Sequence, residues 1–196
     1  MNKKHPAYRY AMDLAEGKVN APKYVKLQVK EFLTIANGKD SCYMIDDNKV
    51  HTIGELLKLM VMPKGLKANS TVYDAMAGFQ WLFIIAILCT VDRDNKDKRR
   101  YENAILEICR KNGKTFLIAV LFILLFFIEP KFSKFYSVAP DGSLSREIKT
   151  AIEEIIRSSP ALLGKMNGKE KFKILRDYIH CNITENRYTP LNYSTG

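Results

Sequence analysis

The sequence predicts an α/β fold, in which a mostly parallel sheet with flanking helices is preceded by an N-terminal helical segment. Three observations support this class. Apolar residues keep helical spacing in the first part of the chain, a strand-like run leads into a glycine-containing loop and a long apolar helix, and strand and helix patterns then alternate. Such alternation is typical of βαβ units. We therefore divide the chain into a helical extension at residues 1–72 and an α/β core at residues 73–196.

The helical extension is predicted to hold three helices. Apolar spacing indicates helices over residues 5–16 and 22–36, and the polar stretch at residues 38–49 predicts a loop. Thr52 is predicted to cap a short helix over residues 53–60, because Glu55 follows it three positions later, as in a capping box.

Two oily runs of 13 residues, at 79–91 and 116–128, raise the question of membrane insertion. A helix needs roughly 20 apolar residues to cross a bilayer, and shorter runs more often form buried helices. We therefore expect no membrane span and place both runs in helices, the first within a helix over residues 73–91. The charged run between them, at residues 92–100, is interpreted as a solvated turn in preference to a DNA contact.

The rest of the core is predicted as strand, loop, helix, strand and helix. Residues 104–109 suit a buried strand, the helix at 116–128 follows, residues 134–139 suit a second strand, and residues 143–157 have isoleucines on one helical face. In the tail, three further strands are predicted, at residues 172–175, 178–184 and 188–193.

Charge and cysteine content narrow the functional classes. The formal net charge of +10 favours a polyanion such as nucleic acid, or an anionic membrane surface, although a basic surface without a specific partner stays open. The four cysteines form no CxxC pair and no zinc spacing with histidine, which indicates reduced thiols in a cytosolic protein.

The strongest motif is Gly113-Lys114-Thr115, the second half of the phosphate-binding pattern G-x-x-x-x-G-K-[ST]. In that motif backbone N–H groups face phosphate oxygens, the lysine reaches the β- and γ-phosphates, and the hydroxyl binds Mg²⁺. Ile108 stands where the first glycine belongs, so the triplet by itself also suits a surface turn. The predicted strand before it and helix after it favour the phosphate loop. The two neighbouring cations, Arg110 and Lys111, suit a triphosphate site and equally a basic turn.

The segment at residues 99–115, RRYENAILEICRKNGKT, resembles the deviant Walker A region of large terminase subunits from tailed bacteriophages. The shared features are the paired arginines, the string RKNGK[ST] and the missing first glycine. The helical pair near the N-terminus and the strand and helix from residue 136 also resemble that family. Residues 79–81, FQW, resemble its Trp-Gln motif with a different order of aromatic residues. The likeness runs from about residue 7 to about residue 193, and RKNGKT is its specific part.

The resemblance implies a P-loop NTPase-like fold and a motor that uses ATP and Mg²⁺ to package double-stranded DNA into a preformed capsid. It implies a homo-oligomeric ring on the portal protein, cooperation with a small terminase subunit, and a place in the cytoplasm of the infected bacterial host.

By residue, the resemblance implies that Lys114 binds the β- and γ-phosphates and Thr115 binds Mg²⁺. Asn112 and Gly113 would offer backbone N–H groups, Lys111 would belong to the same ATP site, and Arg110 would act on the γ-phosphate as an arginine finger does. Gln80 would pair with N6 and N7 of adenine, although an ordinary polar helix residue is an equal interpretation. Tyr101 would stack near the base.

The acid that hydrolysis requires is not found in the sequence. No four-residue apolar run followed by Asp-Glu occurs after residue 130, and Glu153-Glu154 lies in a helical pattern. We therefore expect this chain to match the front part of a large terminase, without its nuclease domain, and to hydrolyse ATP weakly or not at all by itself. The alternatives are another, helicase-like P-loop ATPase, a basic DNA-binding module, and a membrane-associated protein in which GKT is incidental.

Overall fold

A computed structural model describes residues 1–140 and 142–193 of the chain. The chain divides into two compact units, and the boundary first falls at Gly54, within a helix. The first unit contains Met1–Gly54 and Met76–Glu107, and the second contains Glu55–Ala75 and Ile108–Gly196. The division predicted at residue 72 stays a prediction.

The helices, in chain order, are α1 Pro6–Ala15, α2 Lys23–Ala36, α3 Asp47–Leu59, α4 Val72–Ala75, α5 Gly78–Cys89, α6 Lys114–Ile128, α7 Gly142–Ser158 and α8 Pro160–Leu163. The strands are β1 Tyr43–Ile45, β2 Thr90–Asp92, β3 Lys134–Ala139, β4 Lys165–Met166, β5 Lys169–Glu170, β6 Phe172–Ile174, β7 Ile179–Cys181 and β8 Asn186–Asn192.

In the first unit, α1 packs against both α2 and α5. The core contains fully or almost fully buried side chains such as Leu14, Phe32, Trp81 and Ile84. The two helices predicted for the N-terminal part are confirmed, since apolar spacing of 3.6 residues gives each helix one face to bury.

Other predictions for this unit are wrong in detail. The stretch predicted as a loop contains β1, which pairs with β2 in an antiparallel ribbon, and the start of α3. Thr52 does not cap a helix. Asp46 does, since its Oδ1 accepts the N–H of Asn48 at 2.9 Å, and α3 therefore begins five residues earlier than Thr52.

The helix predicted over residues 73–91 is divided into α4, α5 and β2. The break falls at Ala77, whose backbone is extended and whose N–H donates to Gln80 Oε1 at 2.9 Å. The apolar composition did not predict this break, because the break is stabilised by the side chain of Gln80, three residues after Ala77.

In the second unit, β3, β8, β7 and β6 form one sheet in that order. Helices α6 and α7 pack against each other and contact strand β8. Their buried residues, such as Leu117, Ile123, Phe126 and Ile152, form the core with the inward side chains of the strands. The predicted helices at residues 116–128 and 143–157 and the predicted strand at 134–139 are confirmed.

The expected mostly parallel sheet is not confirmed. Strands β3 and β8 are parallel, whereas β8–β7 and β7–β6 are antiparallel. The reason is the length of the connections: four residues join β6 to β7 and four join β7 to β8, and a parallel crossover needs a dozen or more.

The strand predicted over residues 104–109 is not present. This segment has no regular structure, and Ile105 is 93% exposed. Its apolar, β-branched composition suited a buried strand, but a strand forms only where a neighbour accepts its hydrogen bonds, and no described strand pairs with it.

Gly78 permits the close approach of α1 and α5. A Cβ built at this position would lie 2.6 Å from Cδ2 and 2.8 Å from Cβ of Tyr10. We expect Gly78→Ala to destabilise the first unit by about 1–3 kcal/mol through overpacking. Urea unfolding followed by the fluorescence of Trp81, the single tryptophan, would measure it.

A double-mutant cycle with Tyr10→Ala tests the cause. That variant removes the ring atoms and keeps only the Cβ contact, so the combined cost should be less than the sum of the two single costs. Additive costs would show that the clash with the Tyr10 ring is not the reason.

Asn186 joins the end of α6 to the start of β3. It is fully buried, its Nδ2 donates to the carbonyl oxygen of Phe126 at 2.9 Å, and its Oδ1 accepts the N–H of Ser133 at 2.8 Å. We expect Asn186→Ala to lower the free energy of unfolding by about 2–4 kcal/mol, because the partly buried Ser133 N–H loses its acceptor and the Phe126 carbonyl loses one donor. Asn182→Ala, which removes an exposed bond to the Glu170 carbonyl, is the control and should cost less than about 1 kcal/mol. Equal costs in urea unfolding monitored by circular dichroism would refute this role.

Candidate functional site

The loop before α6 has the backbone of an anion-binding turn. Lys111 and Gly113 have φ values of 66° and 74°, in the left-handed region. Helix α6 begins at the next residue, Lys114, and its first turn is closed by a bond from the Leu117 N–H to the Gly113 carbonyl at 2.9 Å. A left-handed residue directly before a helix favours glycine, which has no Cβ to clash. The glycine of the GKT triplet is thus placed where its conformational freedom is used.

Gly113 is also the N-cap of α6, and no side chain caps this end. The first N–H groups of a helix have no partner within the helix, and the macrodipole makes this end attractive to anions. A capless N-terminus preceded by exposed cations therefore has the chemistry of a phosphate site.

The side chains around this end are accessible. Arg110, Lys111, Asn112, Lys114 and Thr115 are all exposed. The Asn112 Nδ2 donates to the Cys109 carbonyl oxygen at 3.4 Å, a weak bond across the turn. Three cations within five residues give the loop a positive character, and none of them is buried. The structure thus brings together every predicted residue of the loop.

A cavity of about 410 Å³ lies beside the first turn of α6. Thr115 and Phe116 line it from α6, and an ion pair borders it, with Lys64 Nζ 2.7 Å from Glu154 Oε2. The remaining lining residues are Met62, Pro63, Glu147, Thr150, Ala151 and Ile155. The sequence gave no sign of this neighbourhood, because Lys64 and Glu154 are 90 positions apart.

Gln80 lies in the first unit and is 7% exposed. Its Oε1 accepts the Ala77 N–H, so the side-chain oxygen satisfies a backbone donor at the start of its own helix, α5. A carbonyl oxygen has two lone pairs, and this bond therefore occupies only part of its capacity. This bond is one that an ordinary polar helix residue forms, and the adenine role of Gln80 stays a prediction.

The paired arginines and Tyr101 also lie in the first unit. The Arg100 guanidinium pairs with Glu31 and lies over the rings of Tyr43 and Tyr101, at 4.3 and 5.2 Å from their centroids. The Tyr101 hydroxyl accepts a bond from Gln28 at 2.8 Å, and burial raises the pKa of this phenol. The stacking partner of Tyr101 in this structure is thus Arg100, an arrangement that the sequence did not predict.

Two of the three carboxylates of α7, those of Glu153 and Glu154, are engaged in ion pairs. Glu153 Oε1 is 2.8 Å from an Arg157 nitrogen, and Glu154 pairs with Lys64. Within residues 1–140 and 142–193, no group of three or more His, Cys, Asp or Glu side chains could hold a metal ion. In the same part of the chain, no helix has the length and apolarity that crossing a membrane requires.

Comparison with known proteins defines the class of fold. No protein-family model and no curated protein matches the chain. Among solved structures, it is similar to the crystal structure of the HK97 bacteriophage large terminase, with a TM-score of 0.58 and 20% identity. The match covers 78% of this chain and 28% of the terminase chain, so the chain spans little more than a quarter of that protein's length.

The chain is therefore a mixed α/β protein with a terminase-like fold. The particular relative is a large terminase of a bacteriophage, the family that the segment at residues 99–115 resembles. The similarity concerns the fold.

Proposed function

We propose that this chain is the nucleotide-binding part of a large terminase subunit, the motor that packages viral DNA by hydrolysing ATP. The observation that carries the proposal is the position of Gly113-Lys114-Thr115. In a chain with a terminase-like fold, this triplet lies at the capless N-terminus of α6, after a loop with two left-handed residues. Sequence motif, local backbone and fold thus favour the same class of protein.

The proposed ligand is ATP with Mg²⁺. Gly113 and Asn112 offer backbone N–H groups, Lys114 contributes a mobile ammonium for the β- and γ-phosphates, and Thr115 offers its hydroxyl to the metal ion. The geometry fits a phosphate, since Thr115 and Lys114 are exposed in the first turn of α6. The metal ion would neutralise charge on the phosphate oxygens.

Arg110 is proposed to act on the γ-phosphate, where a guanidinium stabilises the negative charge of phosphoryl transfer. Lys111 is proposed to belong to the same phosphate site. Gln80 is proposed to read adenine: its Nε2 would donate to N7, and the second lone pair of its Oε1 would accept from N6.

The partners of the whole motor follow from the same proposal. They are double-stranded DNA, a portal protein, a small terminase subunit and further copies of the chain in a ring, in the cytoplasm of the infected host. The formal net charge of +10 supports a polyanionic partner.

Removal of the Lys114 ammonium tests nucleotide binding. We expect Lys114→Ala to weaken the binding of a fluorescent ATP analogue, with Mg²⁺ present, by about 10- to 150-fold, since a hydrogen bond to a charged group contributes roughly 1.5–3 kcal/mol. Lys131→Ala, which removes an exposed cation beyond the other end of α6, is the matched control and should bind as the wild type does. Equal affinity in all three proteins would show that the triplet is incidental.

Hydrolysis is a separate measurement. We expect the purified chain to bind ATP but to turn it over weakly or not at all, because Glu153 and Glu154 are held in ion pairs and no four-residue apolar run after residue 130 is followed by Asp-Glu. A steady-state ATPase assay with and without Mg²⁺ measures this. Fast Mg²⁺-dependent turnover that Lys114→Ala abolishes would contradict the expectation.

A further inference from the structure

A row of four basic residues crosses the sheet of the second unit. Lys173 on β6 pairs in register with His180 on β7, His180 pairs with Arg187 on β8, and Arg187 pairs with Lys134 on β3. Neighbouring strands lie about 4.8 Å apart, so the row extends over about 14 Å. We call these four side chains the basic row.

The basic row lies on the face of the sheet that α6 and α7 leave uncovered. Side chains alternate between the two faces of a strand. The strand neighbours of the row, including Phe172, Ile179 and Tyr188, are buried in the core with the helices. Lys134, Lys173 and Arg187 are exposed and His180 is half-buried. The row is therefore accessible along its whole length.

Like charges directly opposite each other destabilise a sheet, so the pairing of Lys134 with Arg187 contributes no stability of its own. Glu185 is the one carboxylate that lines the shallow groove of about 440 Å³ over these strands, and its Oε2 is 2.8 Å from His180 Nε2. Lys134 and Arg187 face each other in register, and an anionic ligand would relieve their repulsion.

Aromatic side chains surround the row. The Arg187 guanidinium lies 3.7 Å from the ring centroid of Tyr178. Tyr136 is 51% exposed and lies two residues from Lys134, on the same face of β3. Phe132 is 72% exposed and is held at a φ of 69°, a conformation that is strained for a bulky side chain such as that of phenylalanine. A large apolar ring in a strained and exposed position favours a binding role.

We propose that this face binds single-stranded nucleic acid, with phosphates on the basic row and bases on the exposed rings. Cationic grooves beside aromatic side chains bind single strands in this way. In a duplex the bases are stacked on each other and cannot reach Tyr136 or Phe132, so the exposed rings favour a single strand. The site is separate from the loop before α6, and its test does not depend on ATP binding.

The experiment measures the affinity of the full chain for a fluorescein-labelled 12-nucleotide dT strand by anisotropy, over a range of salt concentrations. The test variant combines Lys134→Gln, Lys173→Gln and Arg187→Gln. The matched control combines Lys23→Gln, Lys26→Gln and Lys30→Gln, three exposed lysines of α2. Each variant loses three positive charges from the formal net charge of +10, so a difference between them reports position and not total charge.

We expect the test variant to bind at least tenfold more weakly than the control. The slope of log affinity against log salt should fall by about 2, since each neutralised phosphate of a single strand contributes about 0.7. The three residues are exposed, and relief of the repulsion between Lys134 and Arg187 offsets loss of the Arg187–Tyr178 contact, so thermal unfolding should shift little in this variant. Equal binding by the test and control variants would overturn the proposal.

The aromatic part has its own test. Tyr136→Thr, which keeps a strand-forming residue, and Phe132→Asn, which tolerates the left-handed backbone, should each weaken dT binding about tenfold without a change in the salt slope. A duplex of the same length should bind more weakly than the single strand to the wild type. Unchanged affinity of both aromatic variants, or preference for the duplex, would refute the single-strand assignment.

Discussion

The second unit depends on the burial of α6. From Phe116 to Ile128 this helix has no polar residue, and Leu117, Val120, Ile123 and Phe126 are fully buried. A helix that is apolar on all sides requires partners on several sides. Helix α7 and the four-stranded sheet supply them, and the carbonyl of Phe126 accepts bonds from both Thr184 and Asn186. The ends of α6 are therefore fixed by its core.

That burial gives the loop before α6 its position. Every residue from Arg110 to Thr115 is exposed, so the loop gains little from packing of its own. Its geometry comes from the helix that follows: Gly113 adopts a left-handed backbone, and the next residue is already in the buried helix. The same helix core supports one face of the sheet and leaves the opposite face, with the basic row, uncovered. The loop before α6 and a cationic sheet face thus both belong to the unit that α6 organises.

The charges of the second unit are unevenly distributed between ion pairs and open surface. On α7, Glu153 accepts Arg157 and lies 3.6 Å from Lys149, and Glu154 pairs with Lys64. Two of the three carboxylates of this helix are thereby matched with cations. Across the sheet, by contrast, like charges face each other in register, and Glu185 pairs with His180 alone. In the basic row, neighbouring carboxylates therefore do not neutralise the cations, and the net positive charge of the chain points to this face of the sheet.

The sequence by itself determined the helices and the chemistry of the loop. Periodic apolar residues predicted α1, α2 and α7, because the spacing that buries one helical face is a local property, and a continuous apolar run predicted α6. The string RKNGKT predicted both the turn and its resemblance to large terminases, and the likeness of fold agrees with it. The antiparallel pairing of β6, β7 and β8 was not predicted, although connections as short as those between the predicted strands forbid a crossover.

Only the tertiary structure decided which apolar runs become strands and which side chains meet. Residues 104–109 have the composition of a strand but no neighbour to bond with, whereas the short β1 forms because β2 lies opposite it. The pair of Lys64 with Glu154 and the basic row join residues that are distant along the chain or on separate strands. Strand pairing and contacts between distant residues depend on partners elsewhere in the chain, and a local sequence pattern does not specify where those partners lie.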